Sequence, residues 1–230
     1  MSEQLYYASR DMTLPSPLYV ILDQEAARRR DLGSLLEAVL AGGCRLVQLR
    51  DKHTPLAELY AVARALSERC RQAGALFIVN DRADLALAVG AGGLHVGQDD
   101  LPAAVARRIL PVGMVLGVST HDPEQARRAL ADGADYVAVG SIFPTGTKAG
   151  FHLVGPDLVR KLRPEIPVPL VGIGGITADN AAAVIEAGAD AVAVISAVCA
   201  ADDPEAATRG LMERLELARG HARPRPPEAR

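Results

Sequence analysis

The stretch Phe143-Pro144-Thr145-Gly146-Thr147-Lys148-Ala149-Gly150 brings two hydroxyls and one ammonium together behind an apolar run, Tyr136-Val137-Ala138-Val139. Hydroxyls and backbone N–H groups donate hydrogen bonds and lysine adds a point charge, so the combination suits an anionic ligand such as phosphate. An ordinary polar loop can have the same composition. The two readings separate only if other apolar runs end in similar chemistry, and several do.

Short β-branched runs recur at 18–22, 45–49, 76–79, 94–96, 114–118, 136–139, 170–173 and 191–195. Between them lie stretches of helical periodicity rich in alanine, leucine and arginine, such as 56–73 and 123–131, the latter with Asp122 placed to cap it. Helices run into glycine before the next strand at Gly42-Gly43, Gly133 and Gly188, where a left-handed residue ends a helix. Strands apolar along their whole length imply burial on both faces of a parallel sheet. Eight strand–helix units point to an α/β fold, a single-domain (β/α)₈ TIM barrel, a fold of typically ~250 residues. An open doubly wound sheet would want a dinucleotide fingerprint after the first strand, and none follows Leu22. The barrel is expected over 18–218, preceded by an extension at 1–17. An arginine- and proline-rich tail at 219–230 is expected to fray.

In a barrel of this kind, chemistry collects at the carboxyl ends of the strands. Strand two ends in Gln48-Leu49-Arg50-Asp51-Lys52, whose alternation turns Gln48, Arg50 and Lys52 to one side. Strand three ends in Asn80-Asp81-Arg82, strand four in His95-Val96-Gly97-Gln98-Asp99-Asp100, and strand five in Ser119-Thr120-His121. Strand seven ends in Gly172-Ile173-Gly174-Gly175-Ile176-Thr177 and strand eight in Ile195-Ser196, each leading into a helix. Glycines there let backbone approach a ligand, and a following helix start offers N–H groups, so a monophosphate site is expected with Ser196 on the neighbouring strand. Simple turn chemistry is the alternative.

Arg50, Lys52 and Lys148 form a cationic group on one rim without matching acids, which an anion should fill. Asp81 and Asp100, at adjacent strand ends with Asn80 beside them, suit magnesium shared with substrate phosphates, or else cap helices. No nucleophile elbow and no metal-spaced histidine cluster is present, so covalent catalysis is disfavoured and displacement of a diphosphate fits best. His95 reads as a buried, hydrogen-bonded histidine rather than an acid–base catalyst, and His121 is equally consistent with helix-terminal structure.

Bulk properties narrow the class. With 230 residues, 49% of them hydrophobic, the chain can bury one substantial core. A net charge of -3 argues against a nucleic-acid surface, and the arginine runs read as solvated helix faces. Three dispersed cysteines fit a reduced, cytoplasmic protein without disulfides. No apolar run approaches a membrane span, and the N-terminal residues lack the apolar core of a signal peptide.

Taken in order, Gln48-x-Arg50-x-Lys52, Asn80-Asp81-Arg82, His95-Val96-Gly97-Gln98-x-Asp100, Gly117-Val118-Ser119, Thr145-x-Thr147-Lys148, Val171-Gly172-Ile173-Gly174-Gly175-Ile176 and Ile195-Ser196 together resemble the thiamine-phosphate synthase family over 19–204. The resemblance implies a transferase that joins 4-amino-2-methyl-5-(diphosphooxymethyl)pyrimidine to a thiazole phosphate, releasing diphosphate. It further implies that Asp81 and Asp100 hold one Mg2+ ion, and that Gln48, Arg50, Lys52, Asn80 and Lys148 contact the pyrimidine diphosphate. Ser119 would meet the pyrimidine, while Thr145, Thr147, Gly175, Ile195 and Ser196 would hold the thiazole phosphate. Arg50, Lys148 and Ser119 are the expected catalytic residues. In the family the diphosphate is held to leave first, after which the thiazole nitrogen attacks the pyrimidinylmethyl cation. A related barrel subfamily that tautomerises a thiazole phosphate, and a non-catalytic phosphate-ligand sensor, are the rival readings; neither needs Asp81, Asp100 and Lys148 together. The sequence leaves the oligomeric state open, a homodimer included.

Overall fold

The computed structural model describes residues 12–27, 30–145 and 153–221. Strand and helix alternate as β1 (Leu18–Asp23), α1 (Leu32–Ala41), β2 (Leu46–Arg50), α2 (Leu56–Gln72), β3 (Leu76–Asn80), α3 (Ala83–Ala88), β4 (Gly93–Val96) and α4 (Ala103–Ile109). They continue as β5 (Val115–Thr120), α5 (Pro123–Ala131), β6 (Tyr136–Val139), α6 (Gly155–Leu162), β7 (Leu170–Ile173), α7 (Ala181–Glu186), β8 (Ala191–Val194), α8 (Ser196–Cys199) and α9 (Pro204–His221). The strands pair in parallel in chain order, and β8 pairs with β1 through Leu18, Tyr19 and Val20 to close the barrel. This is the single-domain (β/α)₈ barrel the strand spacing implies.

The unbroken apolar strands follow from burial on both faces. Leu18, Val20 and Leu22 of β1 pack outward with the helices, while Tyr19 and Ile21 turn inward with Leu46, Ile78, Tyr136, Val171 and Ala193. β6 and β7 coincide with their expected runs. β5 extends beyond 118 because Ser119 and Thr120 pair with Ala138 and Val139 of β6. Asp122 caps α5 by accepting from Gln125 N at 2.8 Å. α9 continues to His221, past the boundary expected at 218, and Arg219 donates to the Asp190 carbonyl. It packs across α1 and α7, covering the seam where the barrel closes.

The Gly-Ala-Asp segments before β6 and β8 do more than end helices. Asp135 N donates to Leu116 O at 2.8 Å, and its Oδ2 accepts from Leu116 N at 2.8 Å and from Arg107 at 2.9 Å. Asp190 repeats the pattern with Leu170 N at 2.8 Å and Arg163 at 2.7 Å. A Cβ on Gly133 would lie 2.9 Å from Arg107 Cγ, and one on Gly188 would lie 3.0 Å from Arg163 Cγ, so each glycine also makes room for an arginine stem. Each staple ties two neighbouring strands at the amino end of the barrel. Asp190→Ala removes the acceptor of a backbone N–H and of Arg163 together, and should cost about 1–3 kcal/mol. Urea unfolding would read this as a lower midpoint with an unchanged slope.

Candidate functional site

Because all eight strands run in parallel around a closed barrel, their carboxyl ends gather at one mouth. A cavity of about 460 Å³ opens there, lined among others by Arg50, Ser119, Thr145, Gly175, Ile195 and Ser196. Sequence reasoning places all six in the site. Thr147 and Lys148 lie outside the described residues.

One side of the mouth is built for close approach. Gly174 and Gly175 both adopt left-handed backbone, φ 104° and 62°. A Cβ on Gly174 would fall 2.1 Å from Ser141 Oγ, and one on Gly175 would fall 2.3 Å from the Pro144 carbonyl oxygen. Phe143 N donates to Gly174 O at 2.9 Å, locking the loop after β6 against the loop after β7. This packing sets Thr145 beside Gly175, with exposed Ser196 following from β8. One detail corrects the sequence reading. α7 begins only at Ala181, and Thr177 N is spent on Asn180 Oδ1 at 2.8 Å, so the glycines face the cavity as a loop rather than as a helix start. Ser196, by contrast, opens α8 directly.

The other side carries the acids. Asp81 and Asp100 are within hydrogen-bonding contact, and burial first, then Asp100, raises the Asp81 carboxyl to about 6. Asp100 Oδ2 accepts from Gly97 N at 2.8 Å. Among the described residues Asp81 is the one non-glycine residue with positive φ, 61°, a conformation aspartate tolerates better than most. Neither aspartate caps a helix: Arg82 and Pro102 occupy the cap positions of α3 and α4. The capping alternative therefore falls. Two touching carboxylates with the Asn80 amide next in the chain are a donor set that suits a hard divalent cation.

The cation group differs from expectation, because its acids are present after all. Arg50 is paired with Asp23, the last residue of β1, whose carboxylate also accepts from Ala26 N at 2.8 Å. Lys52 Nζ stands 3.5 Å from Asp81 Oδ2. Asp23 was the residue missed; it ends its strand as the other site residues end theirs. With Arg50 and Lys52 facing Asp23, Asp81 and Asp100, carboxylates outnumber the described cations on this side, which favours a metal ion there.

Gln48 does not share the open rim with Arg50 and Lys52. It is buried, and its Nε2 donates to Tyr19 Oη at 2.5 Å inside the barrel. His95 is buried as expected, with Nε2 at 2.8 Å from Ser119 Oγ and Nδ1 at 2.8 Å from Tyr136 Oη. His121 is helix-terminal, its backbone N–H donating to Gln125 Oε1 of α5 at 2.9 Å, and it also lines the cavity with Nδ1 at 2.6 Å from Gly140 O.

Similarity to known proteins agrees with this arrangement. The family described as thiamine monophosphate synthase matches residues 18–198. Thiamine-phosphate synthase of Moorella thermoacetica is 52% identical over 205 residues, covering 88% of this chain and 97% of that protein. The enzyme of the same name from Chlorobium luteolum is 45% identical over 205 residues, covering 89% and 95%. The solved structure of thiamine phosphate pyrophosphorylase from Pyrococcus furiosus superposes with a TM-score of 0.81 at 38% identity, covering 87% of this chain and 96% of that one. With a parallel barrel, a glycine loop beside Ser196 and an acidic pair opposite, the chain belongs to the thiamine monophosphate synthase family.

Proposed function

We propose that this enzyme of thiamine biosynthesis joins a pyrimidinylmethyl diphosphate to a thiazole phosphate, carboxylated or not, with magnesium held by Asp81 and Asp100. The observation that carries the reading is the contact between these two carboxylates, with Arg50 and Lys52 beside them. Two like charges in contact are stable only when protonated or bridged. A bound magnesium ion supplies neutralisation of the diphosphate oxygens.

The chain's own residues divide the remaining work. Arg50, Lys52, Asn80 and Lys148 orient the diphosphate and stabilise its charge as it departs, and Arg50 is held for this by Asp23. Ser119 faces the pyrimidine from the cavity wall, with Gln48 behind it in the barrel. Thr145, Gly175, Ile195 and Ser196, which line the cavity, hold the thiazole phosphate together with Thr147. Diphosphate departs first and the thiazole nitrogen captures the resulting cation. No protein nucleophile is needed, and catalysis reduces to positioning and charge stabilisation.

The direct test is release of diphosphate and formation of thiamine phosphate from the two purified substrates. EDTA should abolish turnover and added magnesium restore it; turnover indifferent to chelator would remove the metal from Asp81 and Asp100. Ser196→Ala should raise the KM for the thiazole phosphate about tenfold, as loss of one charge-assisted hydrogen bond implies, and leave the pyrimidine KM unchanged. A fall in pyrimidine affinity instead would reverse the two substrate positions.

The Asp81 shift gives a pH dependence of definite sign. Its carboxyl is raised to about 6 from an ordinary 3.8, so the metal-free fold prefers it protonated and loses that stability as pH rises through 6. Magnesium should therefore raise Tm clearly at pH 8 and hardly at pH 5, a comparison that thermal unfolding can make directly.

A further inference from the structure

Ser119, Gly117 and four buried polar side chains form a device that the site description leaves unexplained. Gln48 Nε2 lies 2.5 Å from Tyr19 Oη, and Tyr19 Oη lies 2.9 Å from Tyr136 Oη. Tyr136 Oη lies 2.8 Å from His95 Nδ1, and His95 Nε2 lies 2.8 Å from Ser119 Oγ. The contacts cross the barrel interior through β2, β1, β6, β4 and β5 and end at the cavity wall. The rings are fixed too: Tyr19 meets Tyr136 edge-on at 6.0 Å and His95 stacks on Tyr136 at 5.6 Å.

We propose that Gln48, Tyr19, Tyr136 and His95 form a one-way hydrogen-bond chain that fixes the Ser119 hydroxyl as a donor toward an acceptor atom of the pyrimidine diphosphate. The direction follows from counting protons. The Gln48 amide nitrogen can only donate, so Tyr19 Oη accepts and must spend its own proton. Tyr136 Oη is its acceptor, and Tyr136 in turn donates to His95 Nδ1. An imidazole accepting at Nδ1 carries its proton on Nε2, which then donates to Ser119 Oγ. Ser119 is left with its own proton directed outward, into the cavity it lines.

The opposite direction fails at Tyr19. Its oxygen would take protons from both Gln48 and Tyr136, leaving its own hydroxyl proton without an acceptor among the described residues, in a side chain only 1% exposed. A buried donor left unmade costs about 1–3 kcal/mol. Burial pushes both phenols well above their ordinary range, so each stays neutral and keeps the proton the chain requires.

Gly117 shows that the interior is shaped for this chain. Its φ is ordinary, but a Cβ there would lie 2.0 Å from Tyr136 Cζ and 2.3 Å from its hydroxyl. Alternation puts Gly117 and Ser119 on the same face of β5. The Gly-Val-Ser triplet thus seats the phenol with one residue and ends the chain with the other. His95, Tyr136 and Tyr19 are positioning residues; Ser119 alone meets substrate.

The inference rests on the substrate reading above, and its test separates the two. In wild-type protein without substrates, nitrogen NMR of labelled histidine should find His95 protonated on Nε2. A proton on Nδ1 overturns the chain whatever the enzyme makes, whereas absence of thiamine phosphate from the wild-type assay would sink the substrate reading alone. Tyr136→Phe cuts the chain beside His95 and should lower kcat about tenfold, the scale on which partners of a reactive ligand act, while the thiazole phosphate KM stays put. Tyr19→Phe leaves the Tyr136–His95–Ser119 end intact and should have a clearly smaller effect. Equal losses from the two variants, or an unchanged kcat in Tyr136→Phe, would overturn the positioning role. Should Tyr136→Phe not fold, the wild-type tautomer and Tyr19→Phe still decide.

Discussion

Parallel closure is the constraint on which everything else in this molecule depends. A closed barrel of parallel strands has one end where all eight carboxyl termini meet and one where all eight amino termini meet. Every strand must be apolar on both faces along its length, since one face meets helices and the other meets the interior. Polar groups are therefore driven to the strand ends, or into interior positions where every hydrogen bond can be made. The acidic pair, the glycine loops and Ser196 are the first case. The Tyr19–Tyr136–His95 group is the second.

That constraint explains why so much was legible in the residue order. Arg50, Ser119 and Ser196 follow an apolar run directly, and Asp81, Gly175 and Asp100 come within four residues of one, so locating the run locates the site residue. The barrel itself follows from the same repeat of strand and helix. What the sequence hides are relations between strands. Asp23 ends β1 as plainly as Asp81 follows β3, but its pairing with Arg50 exists only because β1 and β2 are neighbours in register. Two of the cations that read as a surplus, Arg50 and Lys52, are partnered. Likewise Gln48 alternates correctly with Arg50, yet depth along the strand sends it to Tyr19 inside the barrel while Arg50 reaches the rim.

Helix starts were harder to locate than strand ends for a related reason. A strand end is announced by a change from apolar to polar residues. The glycine loop after β7 runs seven residues, 174–180, before α7, and Asn180 bonding to Thr177 N and to the Gly175 carbonyl holds that loop in place. Side chain to backbone bonds of this local kind leave little trace in periodicity. Their effect is nonetheless large here, because they decide whether backbone N–H groups point along a helix axis or into a loop.

The two arginine–aspartate staples at the amino end bear on how this barrel can change. They tie β5 to β6 and β7 to β8 at the pole opposite the cavity. The two poles are separated by the length of the strands, and alterations at well-separated positions contribute independently. Loops at the mouth can thus be lengthened, shortened or exchanged while the base retains its own fastening. Such a division lets new substrates be tried at one pole without loosening the other, and makes the base of this barrel a ready foundation for redesigned catalysts.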